Sequence, residues 1–222
     1  MISVENVIEE LRKIRPIFHS EADFQHALAW EIHSHFPTAI VRLEIHPGRI
    51  GRREYIDILV QHENVTYAIE LKYKTRKLDV IYNGEEFHLL DQGAQDIGRY
   101  DFIKDIVRLE RFVAGHPKTV GYAIMLTNDN NYWQPTRNLS TADASFRIHD
   151  ARTLNGELKW SEATGKGTMK GRENPLMLSG SHQIRWINYS ELSEKGPNKF
   201  RYVLLKIETD LNHPITNRVE EK

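Results

Sequence analysis

The run Tyr55-Ile56-Asp57-Ile58-Leu59-Val60-Gln61-His62, a break at Glu63-Asn64, and the run Val65-Thr66-Tyr67-Ala68-Ile69-Glu70-Leu71-Lys72-Tyr73-Lys74 read as two strands joined by a tight turn. Both runs are rich in β-branched and aromatic residues, and a two-residue connection is the commonest hairpin loop. With Glu63-Asn64 as the turn, paired positions sum to 127, so Asp57 faces Glu70 across one rung. Directly opposed residues of an antiparallel pair project from the same side of the sheet, and Lys72, two beyond Glu70, joins them there. The other side then carries Ile56, Ile58, Val60, Tyr67, Ile69 and Leu71, an apolar surface that belongs against a core. Two acids on one rung repel and are costly to keep ionised without compensation. A divalent cation relieves that cost, with Lys72 adding further positive charge. Hard oxygen ligands with room for water suit magnesium or manganese.

Outward from the hairpin, the chain alternates helix and strand signals. Ser3 can cap a helix with Val7, Ile8, Leu11 and Ile14 at helical spacing, ended by Pro16. Ser20 can cap a second helix, running to about Phe36, with an inward stripe of Phe24, Leu28 and Ile32. Glu21 shares that inward side, since it stands three before Phe24 and seven before Leu28. A strand is expected over Ile40–His46, before the hairpin strands Glu54–His62 and Val65–Lys74. A long helix is expected over Asp91–Ala114, with Ala94, Ile97, Ile106, Leu109 and Val113 inward. Strands should follow at Thr119–Leu126, Gln183–Asn188 and Phe200–Glu208. Residues 128–180 are polar and rich in Asn, Gly and Ser, with a hairpin turn expected at Asn155-Gly156. They read as a β-rich insertion into one domain whose core spans about 20–128 and 182–210. The fold class is α/β, a mixed sheet flanked by helices.

The pattern acid-any-Lys occurs three times, at Glu70/Lys72, Glu157/Lys159 and Glu220/Lys222, and context separates the copies. Only Glu70 is flanked by hydrophobic strand and faces an aspartate. The competing reading is an amphipathic hairpin carrying a cross-strand salt bridge and no chemistry.

Asp57, Glu70-Leu71-Lys72 and the order helix, three strands, helix, strand together resemble the PD-(D/E)xK nuclease superfamily, the restriction-endonuclease-like fold. The match covers about Ser20 to Asn128, and it departs from the family's pattern where Ile56 replaces the proline of the motif's name. The resemblance implies a metal-dependent nuclease that hydrolyses phosphodiester bonds in DNA, with RNA left open and internal cutting expected ahead of end-directed cutting. It implies Asp57, Glu70, Lys72 and Glu21 as catalytic residues. A magnesium or manganese ion would be held by Asp57, Glu70, Glu21 and the Leu71 main-chain carbonyl. Lys72 would orient or deprotonate the attacking water and steady the transition state. The alternative reading keeps the fold and loses the activity: a module that grips nucleic acid or a partner protein.

Composition bounds these readings. The chain has 222 residues, no cysteine, and 30 basic against 31 acidic side chains. A thiolate zinc site and a cysteine nucleophile are therefore excluded. A formal charge of -1 argues against indiscriminate coating of nucleic acid. Local clusters still allow phosphate contact: Arg49, Arg52 and Arg53 in one, Lys72, Lys74, Arg76 and Lys77 in another, and Lys166, Lys170 and Arg172 in a third, with a solvated surface as the plain reading of each. Gln95 and Arg99, four apart on the long helix, form a candidate phosphate-facing strip, with a solvated helix surface as the plain reading. Tyr132, Trp133, Trp160, Trp186 and Tyr189 could stack bases or pack a core. No apolar run approaches the ~18–20 residues of a membrane helix, so a cytoplasmic protein, with a homodimer allowed, is expected.

Overall fold

Ser3 and Ser20 each close a helix start. Ser3 Oγ accepts from the Asn6 amide at 3.2 Å and Ser20 Oγ from the Asp23 amide at 3.1 Å, satisfying donors that a helix leaves open. In the computed structural model, which describes residues 1–46, 55–136, 138, 140–192 and 197–209, these helices are α1 (Val4–Ile14) and α2 (Glu21–His35). Strands β1 (Ile40–Ile45), β2 (Ile56–His62) and β3 (Val65–Lys74) follow, then β4 (Leu78–Tyr82) and β5 (Glu85–Leu89). Next come helix α3 (Gln95–Gly115) and strand β6 (Thr119–Thr127). A 3-10 turn at Ala144–Phe146, strand β7 (Thr153–Leu158), the short helix α4 (Lys166–Met169) and strands β8 (Leu176–Gln183), β9 (Trp186–Glu191) and β10 (Lys199–Ile207) complete the order.

Six strands form one mixed sheet in the order β1-β2-β3-β6-β10-β9. Glu63 and Asn64 both take left-handed φ, 51° and 65°, which fits the twist of a two-residue hairpin turn. The β2–β3 register runs from His62↔Val65 to Ile58↔Ile69, the pairing expected from the sequence. Strand β3 pairs in parallel with β6, and α3 makes the crossover between them. Every residue of β6 is buried, as a strand covered on both faces requires.

Two cores sandwich this sheet. On one side α1 and α2 bring Val7, Leu11, Phe24, Leu28 and Ile32 against Ile58, Val60, Tyr67, Ile69 and Leu71. On the other, α3 brings Ile106, Leu109 and Val113 against Ala68, Ala123 and Met125. The stretch expected as an insertion contributes Phe146, Leu154, Leu158, Trp160, Leu176 and Leu178 to that second core. Among the described residues no helix is long and apolar enough to cross a membrane.

Two expectations need correction. Asn155-Gly156 is not a turn. It lies inside β7, where Gly156 has φ +63° and the register to β8 shifts, so the left-handed residue makes a bulge and Glu157 faces Met177. Ile56 does not share the core of Ile58 and Val60. It is fully buried on the α3 side, so the alternation of β2 breaks at Asp57, the β2–β3 pairs end at Ile58↔Ile69, and the rung expected between Asp57 and Glu70 does not form.

Candidate active site

The break has a local cause. On β1, Glu44 takes φ 52°, and the β1–β2 pairs pass from Leu43↔Ile58 to Ile45↔Ile56. Gln25 of α2 braces the kink, its Nε2 donating at 2.8 Å to both Glu44 Oε1 and the Asp57 carbonyl. The kink turns the Asp57 carboxylate along the sheet, and Oδ2 accepts from the Leu71 amide at 2.6 Å. One step on, Glu21 at the start of α2 reaches in and its Oε2 accepts from the Tyr73 amide at 2.7 Å. Beyond the Ile58↔Ile69 pair, therefore, two carboxylates take successive outward N–H groups of β3. In an extended strand a residue's N–H and C=O point to the same side, so the Leu71 carbonyl opens into the same notch. Lys72 Nζ lies 3.0 Å from that carbonyl.

On the α3 side the charges form a chain. Arg108 grips Glu70 with two hydrogen bonds, Nε to Oε1 at 2.6 Å and a terminal nitrogen to Oε2 at 2.5 Å. The same terminal nitrogen donates to Asp105 Oδ1 at 2.9 Å, and Asp105 Oδ2 lies 2.7 Å from Lys72 Nζ. Glu70 is 1% exposed, and burial pushes its carboxyl well above the usual range against the pull of Arg108. Burial also pushes Asp57 up to about 6, against the Leu71 amide and Lys72. For Lys72, burial acts to lower the pKa, but Asp105, Glu21 and Asp57 together raise it, so the ammonium stays charged. Four carboxylates (Glu21, Asp57, Glu70, Asp105) meet two cations (Lys72, Arg108), a formal charge of -2 in one half-buried patch.

Among the described residues no three His, Cys, Asp or Glu side chains converge as a ready-made metal cluster. The notch offers a different set: the second oxygens of Asp57 and Glu21, which accept no hydrogen bond from the described residues, and the Leu71 carbonyl. These are hard oxygens with a charge deficit of two, and that chemistry fits magnesium or manganese. Glu70, expected as a ligand, has both oxygens engaged by Arg108, which leaves only their second lone pairs open to a metal.

The remaining candidates scatter. Arg99 is 3% exposed and bonds Asp143 at 2.5 Å and the Asn131 carbonyl at 2.6 Å, so it ties α3 to the loop after β6. Gln95 donates to Asp129 at 2.8 Å. Lys74 shares the face of Lys72 and is half-buried without an ion pair among the described residues. Arg49, Arg52 and Arg53 lie outside the described residues. All five aromatics, Tyr132, Trp133, Trp160, Trp186 and Tyr189, pack in the cores, and Trp133 also lines an open cleft.

Sequence reasoning missed Asp105 and Arg108, although a signal existed. Asp105 stands four before Leu109 and eight before Val113, on the stripe read as apolar. An acid on a core stripe is buried and must be paired. Comparison with protein-family models, with curated proteins and with solved structures returned no match to this chain.

Proposed function

We propose that the chain is a metal-dependent nuclease of the restriction-endonuclease-like class, hydrolysing phosphodiester bonds in DNA. The observation that carries this reading is the notch, where Asp57 and Glu21 cap the free amides of β3 beside the Leu71 carbonyl and a charged Lys72. Asp57, Glu21 and the Leu71 carbonyl would hold a magnesium ion, which when bound lowers the pKa of a coordinated water and neutralises charge on the reacting phosphate. Lys72 acts as a fixed cation. Its acidic surroundings keep it protonated, which favours stabilising the anionic transition state over accepting a proton from water. Asp105 holds that ammonium at 2.7 Å, and Arg108 holds Asp105 and Glu70 in turn, so the charge is positioned before substrate arrives. Gln25 fixes the Asp57 backbone and with it the direction of the carboxylate.

The test is cleavage of plasmid, single-stranded DNA and RNA with magnesium or manganese, using wild type, Asp57→Asn and Lys72→Ala. Wild type should cut DNA, and both variants should lose at least about a hundredfold, the scale of a lost charge-stabilising group. Full activity in either variant would remove it from the machinery. A second reading rests on the closed Glu70–Arg108 pair: a nuclease-like module that binds nucleic acid or a partner and does not cut it. Binding without cleavage under every metal would favour it.

A further inference from the structure

An open cleft of about 810 Å³ lies just beyond the ends of β3 and β6. Four cations line it, Arg76, Lys77, Lys199 and Arg201, with Asp91 the one carboxylate among its lining residues. Among the lining residues four cations thus stand against one acid, although Asp129, Asp79 and Asp150 approach Arg76, Lys77 and Arg201 from outside the cleft. Position adds to composition. β3 and β6 run in parallel and end at Lys74 and Thr127, and Arg201 of β10 faces Thr127. The cleft thus sits outside the carboxyl ends of the sheet's parallel pair, the place where open α/β sheets hold ligands. Asn128 braces its floor, accepting from the Arg76 amide at 2.7 Å and donating to the Pro197 carbonyl at 2.8 Å.

The cations are available in part. Lys199 is exposed and makes no ion pair among the described residues, and Lys77 has only a 3.7 Å approach to exposed Asp79. Arg201 lies over the Trp133 ring at 5.8 Å, donates to the Trp186 carbonyl at 2.5 Å and approaches Asp150 at 3.7 Å, while its buried Nε has no hydrogen-bond partner among the described residues. Arg76 is shared between Asp91 at 3.1 Å and Asp129 at 3.8 Å. From Lys72 to Arg76 is four residues, at most about 13 Å at ~3.3 Å per residue. Lys74 stands between them.

We propose that this cleft binds the phosphodiester backbone of a nucleic-acid strand and leads it to the notch. The orientation toward the notch rests on the nuclease reading above; the binding itself does not. The experiment measures anisotropy of a labelled oligonucleotide, single-stranded and duplex, in EDTA, across about 50 to 200 mM salt. Lys77→Ala and Lys199→Ala should each weaken binding several-fold and flatten the slope of log K against log salt by about 0.7–0.9. Lys13→Ala, on α1 and paired with Glu10, is the control and should change neither.

An unchanged slope in both cleft variants overturns the proposal. Competition by inorganic phosphate or a nucleoside monophosphate, at phosphate concentrations equal to the strand's, overturns it in favour of a small-anion pocket. Polyglutamate displacing the strand as well as unlabelled oligonucleotide does overturns it in favour of an acidic protein partner. Flattened slopes together with no cleavage by wild type support the cleft and sink the nuclease reading, so the two failures are separable.

Discussion

At Asp57 the fold holds a carboxylate where its charge is poorly solvated, and the consequence is a pH-dependent loss of stability in the metal-free protein. Its folded pKa of about 6 stands above the ~3.9 of an unfolded chain. Between those values the folded state binds the extra proton. Stability contributed by this group is therefore greatest below about pH 4, falls as pH rises to about 6, and is flat above. Two pKa units correspond to at most about 3 kcal/mol. Asn at this position still accepts from the Leu71 amide and carries no charge. Asp57→Asn should therefore raise metal-free stability at pH 7.5 by about 1–3 kcal/mol, and the gain should shrink toward zero near pH 4. Urea denaturation across that range in EDTA checks it. A gain independent of pH would mean that the Asp57 charge is not the cause.

α3 poses the same kind of question at the level of an element, because glycine weakens a helix and this one contains two. Replacing a helical glycine by alanine gains up to about 1 kcal/mol in propensity. At Gly115 a Cβ would meet nothing, so Gly115→Ala should gain a few tenths of that at the frayed helix end. At Gly98 a Cβ would run into the Tyr132 hydroxyl, which is buried in the second core. Overpacking costs about 1–3 kcal/mol, more than the propensity returns, so Gly98→Ala should destabilise. Denaturation midpoints of the two variants should move in opposite directions. Such contacts explain what the sequence leaves hidden. The strands β2, β3 and β6 and the caps at Ser3 and Ser20 were legible because period, turn and cap act within a few residues. The dipeptide Asn-Gly was legible only as a demand for left-handed backbone. At Asn83-Gly84, an unread signal, φ of 51° and 83° makes the β4–β5 turn, whereas Gly156 makes a bulge. Glu70 and Lys72 could be read as sharing a face from alternation; Asp57 could not be placed that way, because β2 breaks its alternation there and its carboxylate turns to the Leu71 amide, and Arg108 required knowing that α3 crosses over that face.

Over the whole molecule, two cores clamp the central strands β3 and β6, and where β2 leaves β3 the fold gathers a formal charge of -2. Removing Glu70 or Asp105 would strand Arg108 and Lys72, whereas Asp57 and Glu21 each keep an oxygen with no partner among the described residues, so their charge makes physical sense as a site awaiting a cation. That argument predicts linkage. A ligand that binds only the folded state at a hundred times its Kd stabilises by about 2.7 kcal/mol. For a chain of this size the corresponding rise in Tm is about 5–10 °C. Manganese should produce such a rise in wild type, and Asp57→Asn and Glu21→Gln should each remove most of it. Glu70→Gln discriminates between the two views of Glu70. If Arg108 keeps both Glu70 oxygens when metal binds, the manganese-induced shift survives the substitution although the protein is less stable throughout. If Glu70 changes partner and becomes a ligand, the shift falls with it. A wild-type Tm indifferent to manganese and magnesium at millimolar concentration would show that Lys72 and Arg108 already balance the notch, and the hydrolytic reading would fall with it.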